Sequence, residues 1–261
     1  MRSARMSRFF RTTVLYTLRR VLGCVVALAM GGPWHLAQAS ETPVDVTDHC
    51  VILLHGLART RHSMSAVADA LEEAGDRVAN IGYASRRDRI EVLAEDAVSR
   101  GLSQCQKENS QYVHFVTHSM GGILLRYYLS HNEIPTLRHV VMMAPPNQGS
   151  EVVDTWKARP GVKSLNGPAG LQLGTDKDSI PSQLGPVDFS LGVIAGTATV
   201  NPILSRSLPD PDDGKVSLAA TKVAGMRDFI AVPYSHTFLM GAEEVHQQIL
   251  HFLREGRFLI D

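Results

Sequence analysis

The sequence predicts an α/β fold in which a mostly parallel sheet is flanked by helices, with a small cap inserted into it. Short continuous apolar runs such as Val51–Leu54 and Val140–Ala144 are typical of strands buried on both faces. Segments with helical spacing separate these runs, and strict alternation of strand and helix favours a parallel sheet. At 261 residues and 44% hydrophobic content, the chain can bury one substantial core.

The predicted elements follow one another in the order that such a sheet requires. The predicted strands are Val51–Leu54, a short one within Arg77–Tyr83, one around Val113–Val116, Val140–Ala144, Leu191–Ala195 and Phe229–Val232. The predicted helices run from a Ser63 cap to Gly75, over Ile90–Lys107, from Ile123 to about His131, and from about Ala242 to Arg254.

Residues 149–189 interrupt this rhythm. They are rich in Gly, Pro, Ser and Asp, with little apolar periodicity beyond Val152, Val153 and Trp156. Forty structureless residues within a compact domain are improbable. We therefore predict a small cap or lid, in which Trp156 and Leu165 are candidate apolar lining residues.

Residues 1–39 are predicted to be a signal peptide, and residues 40–261 the folded domain. Six arginines and no acid precede an apolar stretch from Val21 to Met30, and Ala37-Gln-Ala39 supplies a cleavage pattern with Ser40 as the first mature residue. Export to the periplasm or the medium follows from this reading, with an uncleaved N-terminal membrane anchor as the alternative. The twin-arginine and lipobox interpretations, at Arg19-Arg20 and Cys24, are weaker.

Composition argues against several classes of partner. Without the six N-terminal arginines, 20 basic and 26 acidic residues remain, a net charge of −6, so nothing favours nucleic acid. No H-E-x-x-H, C-x-x-C, phosphate-binding loop or dinucleotide fingerprint is present, and we expect neither metal nor cofactor. The acids Asp176 and Asp178 could contact calcium, although a solvated loop is the preferred interpretation.

Two cysteines, Cys50 and Cys105, would remain after export into an oxidising compartment. Both are predicted at the edge where the strands begin, so a disulfide between them is expected. The alternative is a pair of buried free thiols.

The stretch from Tyr112 to Leu125 has the strand–turn–helix context of a nucleophile elbow, with Ser119 at the bend. Gly121 supplies the small residue two places after the serine. Two places before it stands Thr117, where the usual pattern has glycine. Ser119 is the predicted nucleophile.

A serine nucleophile needs a base and an acid that orients it. On the elbow topology these follow in the order Ser, Asp or Glu, His. His236 is the predicted base because it follows a strand directly, whereas His246 and His251 fall inside the last helix. Asp213 is the predicted acid because it precedes Gly214.

Two further carboxylates, Asp212 and Asp210, remain as alternatives to Asp213, with Asp212 the nearer one. The oxyanion hole requires two backbone N–H donors. We predict those of Met120, directly after the nucleophile, and Leu57, in the His55-Gly56-Leu57 turn.

These segments together resemble the bacterial lipase/esterase branch of the α/β-hydrolase superfamily. The resemblance rests on five segments and covers roughly residues 50–255: Val51–Leu57, Thr117–Gly122, Ala144–Ser150, Asp213–Val216 and Ser235–His236. It implies an α/β-hydrolase fold, a Ser119–Asp213–His236 triad, and hydrolysis of small-molecule or lipid carboxylic esters through an acyl-enzyme, with transient contact to a membrane or lipid surface.

Other functions stay open beside the esterase. A thioesterase or acyltransferase would use the same triad, and a non-catalytic binding protein with this fold is the least favoured alternative. The shortness of the cap argues against long-chain triacylglycerols as substrates.

Overall fold

The computed structural model describes residues 49–157 and 162–259, with the side chains of all of these except 162–165. Among them, six strands form one parallel sheet in the order β2-β1-β3-β4-β5-β6. The strands are β1 (His49–Leu54), β2 (Arg77–Ile81), β3 (Tyr112–His118), β4 (Leu137–Met143), β5 (Leu191–Gly196) and β6 (Asp228–Val232). The predicted α/β fold is thereby confirmed. The predicted signal peptide and its cleavage site lie outside the described residues.

The helices connect the strands and cover both faces of the sheet. Their bounds are α1 (Ser65–Glu73), α2 (Ile90–Lys107), α3 (Met120–Leu129), α4 (Glu151–Trp156), α5 (Val162–Leu171), α6 (Ile180–Gln183), α7 (Pro202–Ser205), α8 (Leu218–Thr221) and α9 (Glu243–Glu255). None of the helices in the described part of the chain has the length and apolar character needed to cross a membrane.

The core consists of two apolar layers separated by the sheet. Side chains alternate along β1, so Ile52 and Leu54 pack with α2 and α3 on one face. Val51 and Leu53 pack with α1 and α9 on the other face. This two-sided burial is the reason that β1 reads as a continuous apolar run.

Two predicted helix boundaries were wrong. Ser63 does not cap α1, because it lies in a 3-10 turn over Arg61–Met64 and its hydroxyl donates to the carbonyl of Thr60. The helix after Ser119 ends at Leu129 and not at about His131. Helix ends depend on local turn geometry that apolar spacing does not encode.

The edge where the strands begin carries a disulfide and three histidines. Cys50 and Cys105 are joined, with their Cα atoms 5.6 Å apart. Cys105 lies in the last turn of α2, which returns the chain to the start of β3. Near them, a row of imidazoles in tilted contact crosses the sheet, with His114 between His49 and His139.

The described residues between 149 and 189 include the helices α4, α5 and α6. Helix α5 is interrupted at Gly167, whose φ of 66° and ψ of −177° are not helical. Short helices interrupted by glycine and proline explain why this stretch shows no long apolar period.

Candidate active site

Ser119 occupies the sharp turn between β3 and α3. Its backbone has φ 53° and ψ −122°, a conformation that non-glycine residues adopt rarely and at an energetic cost. The Ser119 N–H donates to the carbonyl of Met143 at 2.9 Å, which ties the turn to β4. The turn lifts the serine out of the strand and leaves it partly exposed.

Gly121 and Gly122 let the helix approach the sheet behind Ser119. A Cβ on Gly121 would lie 2.4 Å from the carbonyl oxygen of Leu54, so no larger residue fits. A Cβ on Gly122 would lie 3.2 Å from Thr117 Oγ1. The missing side chain at Gly122 therefore gives Thr117 its room, and the elbow forms without a glycine at position 117.

His236 follows β6 and reaches the serine. Its Nε2 lies 3.0 Å from Ser119 Oγ, within hydrogen-bond distance. The His236 N–H donates to the Asp213 carbonyl at 2.9 Å. Its own carbonyl accepts a hydrogen bond from His118 Nε2, also at 2.9 Å. Backbone contacts on both sides thus fix the loop that carries this imidazole.

Asp213 is the carboxylate that the structure places against His236. Its Oδ2 lies 2.7 Å from His236 Nδ1 in a buried contact. Its Oδ1 accepts the backbone N–H groups of Lys215 at 2.9 Å and Val216 at 2.8 Å. Three hydrogen bonds therefore hold the carboxylate in one orientation.

The alternative carboxylates are engaged elsewhere or exposed. Asp212 accepts the N–H of Gly214 at 2.6 Å and the hydroxyl of Ser205 at 2.5 Å, so it organises the turn that presents Asp213. Asp210 is exposed to solvent.

The two later histidines are bound to main-chain carbonyls and not to the serine. His246 Nε2 contacts the carbonyl of Met240 at 2.9 Å, and His251 Nδ1 contacts that of Arg257 at 2.8 Å.

The backbone N–H groups predicted to form the oxyanion hole have no acceptor. Within the described residues, neither the Leu57 N–H nor the Met120 N–H has a hydrogen-bond partner. Gly56 brings the first loop against the elbow, because a Cβ there would lie 3.2 Å from Ser119 Cβ. Two donors without acceptors beside a nucleophile are suited to receiving a developing negative charge.

A buried pair that the sequence did not single out holds this loop in place. His55 Nδ1 donates to the Gly56 carbonyl at 2.9 Å, and its Nε2 accepts the Tyr83 N–H at 3.3 Å. The Tyr83 ring stacks on the imidazole at 3.9 Å, and its hydroxyl donates to the His55 carbonyl. Burial lowers the pKa of His55, although both backbone bonds raise it, and a neutral imidazole suits these contacts.

A cavity of about 310 Å³ opens onto Ser119 and His236. Much of its wall comes from the 149–189 segment, which contributes Val152, Val153, Trp156, Asn166 and Leu173. Leu165, which was predicted beside Trp156, has its side chain outside the described residues.

In the described part of the chain, no cluster of three or more His, Cys, Asp or Glu side chains is arranged to hold a metal ion. Asp176, considered above for calcium, instead forms an ion pair with Lys157 at 2.8 Å.

Comparison with known proteins identifies similar sequences and folds. A sequence model of the family described as palmitoyl protein thioesterase matches residues 50–177, just under half of the chain. The mature lipase from Bacillus licheniformis is 16% identical with a TM-score of 0.67, covering 82% of this chain and 93% of its own. An esterase from Pyrococcus furiosus is 19% identical with a TM-score of 0.53, covering 79% and 83%.

Other comparisons extend this result only in fold. An α/β-hydrolase fold protein from Chitinophaga pinensis is 14% identical with a TM-score of 0.50, over 80% of this chain and 90% of its own. The search of curated protein sequences finds no match. At these identities, the solved structures share the fold of this chain.

Proposed function

We propose that the chain is a serine hydrolase that cleaves carboxylic esters, in line with the fold that it shares with solved lipases and esterases. The observation that carries this proposal is the continuous hydrogen-bonded chain from Ser119 through His236 to Asp213. A serine hydroxyl is a weak nucleophile near neutral pH, and this arrangement supplies the base and the orienting acid that it needs.

The geometry supports a two-step mechanism. His236 Nε2 takes the proton of Ser119 Oγ as the oxygen attacks the ester carbonyl carbon. The carbonyl oxygen becomes an oxyanion and accepts hydrogen bonds from the Leu57 and Met120 N–H groups. His236 then returns the proton to the departing alcohol, which leaves an acyl group on Ser119.

Water completes the cycle by the reverse sequence. His236 deprotonates the water, which attacks the acyl carbon, and the proton then returns to Ser119 Oγ. Asp213 accepts the hydrogen bond from His236 Nδ1 throughout, so the Nε2 lone pair always faces the serine. The charge on Asp213 also stabilises the imidazolium that forms in each step.

The cavity favours acyl groups of short to medium length. Its volume of about 310 Å³ lies at the low end of the range typical of ligand pockets. The segment 149–189 narrows it from one side, and we propose that this segment acts as the cap that selects the acyl chain.

A thioesterase is the second candidate function. It is favoured by the match of residues 50–177 to the palmitoyl protein thioesterase model. The triad and the oxyanion donors would act identically on a thioester, since only the leaving group changes. Turnover of matched oxygen and sulfur esters of one acyl group distinguishes the two functions.

The test of the proposal is loss of the nucleophile. Ser119→Ala should abolish labelling by a fluorophosphonate probe and lower ester turnover by at least about 10³-fold. Ser130→Ala, at an exposed serine just after α3, is the matched control and should label like the wild type. Undiminished labelling of the Ser119 variant would remove the basis of the assignment.

The choice of acid has its own test. Asp213→Asn should lower turnover by about 10⁴-fold, because the amide stabilises the wrong imidazole tautomer. Asp212→Asn should act mainly on stability, since Asp212 contacts the turn and not His236. The reverse pattern would assign the acid to Asp212.

We also propose that the chain is exported with cleavage after Ala39. The Cys50–Cys105 disulfide supports this proposal, because such bonds persist in oxidising compartments. Mass spectrometry of the protein from fractionated cells should find Ser40 as the first residue. An intact N-terminus in the membrane fraction would instead favour the anchored alternative.

A further inference from the structure

Two cationic side chains line the catalytic cavity, and the proposed mechanism uses neither. Arg59 and Lys215 both form part of its wall together with Ser119 and His236. Arg59 follows β1 and donates from Nη2 to Thr237 Oγ1 at 3.0 Å, one residue after the catalytic histidine. The backbone of Lys215 is held by the Asp213 carboxylate. Contacts next to the triad thus hold the Arg59 side chain and the Lys215 backbone.

Neither cation forms an ion pair with a carboxylate of the described residues. Among the described residues, no carboxylate lies within 4.0 Å of the Arg59 guanidinium or the Lys215 ammonium group. Asp213, the nearest acid in sequence to Lys215, faces His236. The described lining of the cavity contains no Asp or Glu at all.

The positive charges of Arg59 and Lys215 also affect pKa values in the site, those of Lys215 itself and of His118. Lys215 is an exposed residue, yet its pKa is lowered, and partial burial of its ammonium group is the largest cause. Repulsion from Arg59 lowers it further, whereas Asp213 raises it. Both cations also contribute, after burial and His236, to holding the pKa of His118 well below its usual value. The positive charges of Arg59 and Lys215 therefore both act on the part of the cavity wall that contains His118 and Ser119.

Arg59 also lines a second cavity. This cavity of about 440 Å³ is lined by Arg59, His62, Tyr234, Thr237 and Phe238 among others, again without a carboxylate in its described lining. Arg59 thus borders both the space in which the ester carbonyl must lie and an adjoining, more open space. A substrate that spans the two would pass the guanidinium.

We propose that Arg59 and Lys215 form an anion subsite that binds a carboxylate or phosphate group carried by the substrate ester. This inference rests on the proposed function, since it concerns the substrate of the same serine. Arg59 and Lys215 repel each other, neither forms an ion pair with a described carboxylate, and a bound anion would relieve that repulsion. Charge-assisted hydrogen bonds from a guanidinium to an oxyanion are also among the stronger polar contacts in proteins.

The experiment compares matched neutral and anionic substrates. In one arm the charge lies on the acyl group, with p-nitrophenyl hydrogen succinate against p-nitrophenyl butyrate. In the other arm it lies on the alcohol, with 4-(butanoyloxy)phenyl phosphate against phenyl butyrate. The wild type should prefer the anionic member by about tenfold or more in kcat/KM in at least one arm, and the arm that responds locates the anion.

Charge removal then tests the residues. Arg59→Gln and Lys215→Gln should each reduce the anionic-to-neutral ratio of kcat/KM by roughly tenfold, the usual loss for a hydrogen bond to a charged group. Arg100→Gln is the control, because Arg100 pairs with Asp96 on the exposed surface of α2 and lines neither cavity. Its ratio should equal that of the wild type.

The wild-type preference should also weaken as salt is added, since ions screen partly exposed charges, and this measurement needs no variant to fold. A ratio near one in both arms, or a ratio that neither glutamine variant changes, overturns the anion subsite. That result differs from failure of the proposed function, which would appear as turnover that survives Ser119→Ala.

Discussion

The disulfide between Cys50 and Cys105 is expected to contribute strongly to stability. Cys50 and Cys105 are 55 residues apart in sequence. The chain-entropy model gives about 4 kcal/mol for a loop of this size, because the cross-link restricts the unfolded chain. Reduction should therefore lower the free energy of unfolding by about 4 kcal/mol. With a urea m-value of about 2 kcal/mol/M, the midpoint should fall by about 2 M.

The measurement compares three samples in urea: the oxidised wild type, the reduced wild type, and Cys50→Ala/Cys105→Ala. The reduced wild type isolates the covalent bond, because both buried sulfurs stay in place. The double variant adds a small cavity term and should be slightly less stable still. Ester turnover at 25 °C should be nearly the same in all three, because both cysteines lie at the edge opposite Ser119.

Two outcomes would refute this reasoning. Equal midpoints for the oxidised and reduced wild type would mean that the bond does not constrain the unfolded chain. A large loss of turnover in reduced but folded protein would mean that the edge with the disulfide and the edge with the triad are coupled.

Three further predictions follow from single residues. Burial lowers the pKa of His114 to about 2 and that of His139 to about 4. Below about pH 6.5 the unfolded chain therefore binds more protons than the folded protein, and the free energy of unfolding measured in urea should fall as the pH drops. The slope of this fall should be shallower in His114→Gln. Gly121→Ala should cost about 1–3 kcal/mol in thermal unfolding and most of the ester turnover, because its Cβ meets a β1 carbonyl, whereas Gly241→Ala meets nothing within 4 Å and should resemble the wild type. Trp156→Ala should shift preference in a p-nitrophenyl ester series toward longer acyl chains, because Trp156 lines the cavity; an unchanged preference with a large loss of stability would make it a core residue.

Much of the fold could be predicted from the sequence because the sheet is parallel. Its strands are buried on both faces, so each appears as an apolar run, and the helices between them keep an apolar stripe. Helix α2 begins and ends at the predicted residues, Ile90 and Lys107. The helices of residues 149–189 could not be predicted in this way, since they are too short to establish a period.

The candidate site, like the fold, could be predicted from the sequence only in part. Ser119 could be predicted because the elbow is local, and strand, turn and helix occupy adjacent residues. The choice between Asp212 and Asp213 could not be settled, because it depends on which carboxylate the turn directs toward His236. In the structure, Asp212 closes the turn onto Gly214, and that contact leaves Asp213 to face the imidazole.

Contacts between distant segments carry no sequence signal of this kind. Tyr83 supports the oxyanion loop from 28 positions after His55. Arg59 and Lys215 meet at one cavity from opposite ends of the domain, and in the sequence each looks like an ordinary solvated charge. Only the folding of the chain into the sheet brings such residues together.

The parallel sheet also separates stability from chemistry. The proposed triad and oxyanion donors follow the ends of strands, where loops are free to vary without breaking the ladder. The disulfide and His114 lie near the strand starts, where the chain returns from a helix. Changes at the starting edge should therefore alter the free energy of unfolding and its pH dependence while kcat/KM holds. Changes among the loops around Ser119 should alter kcat/KM and substrate charge preference with smaller effects on unfolding. A variant at one edge that shifted both quantities strongly would show that the sheet transmits strain between them.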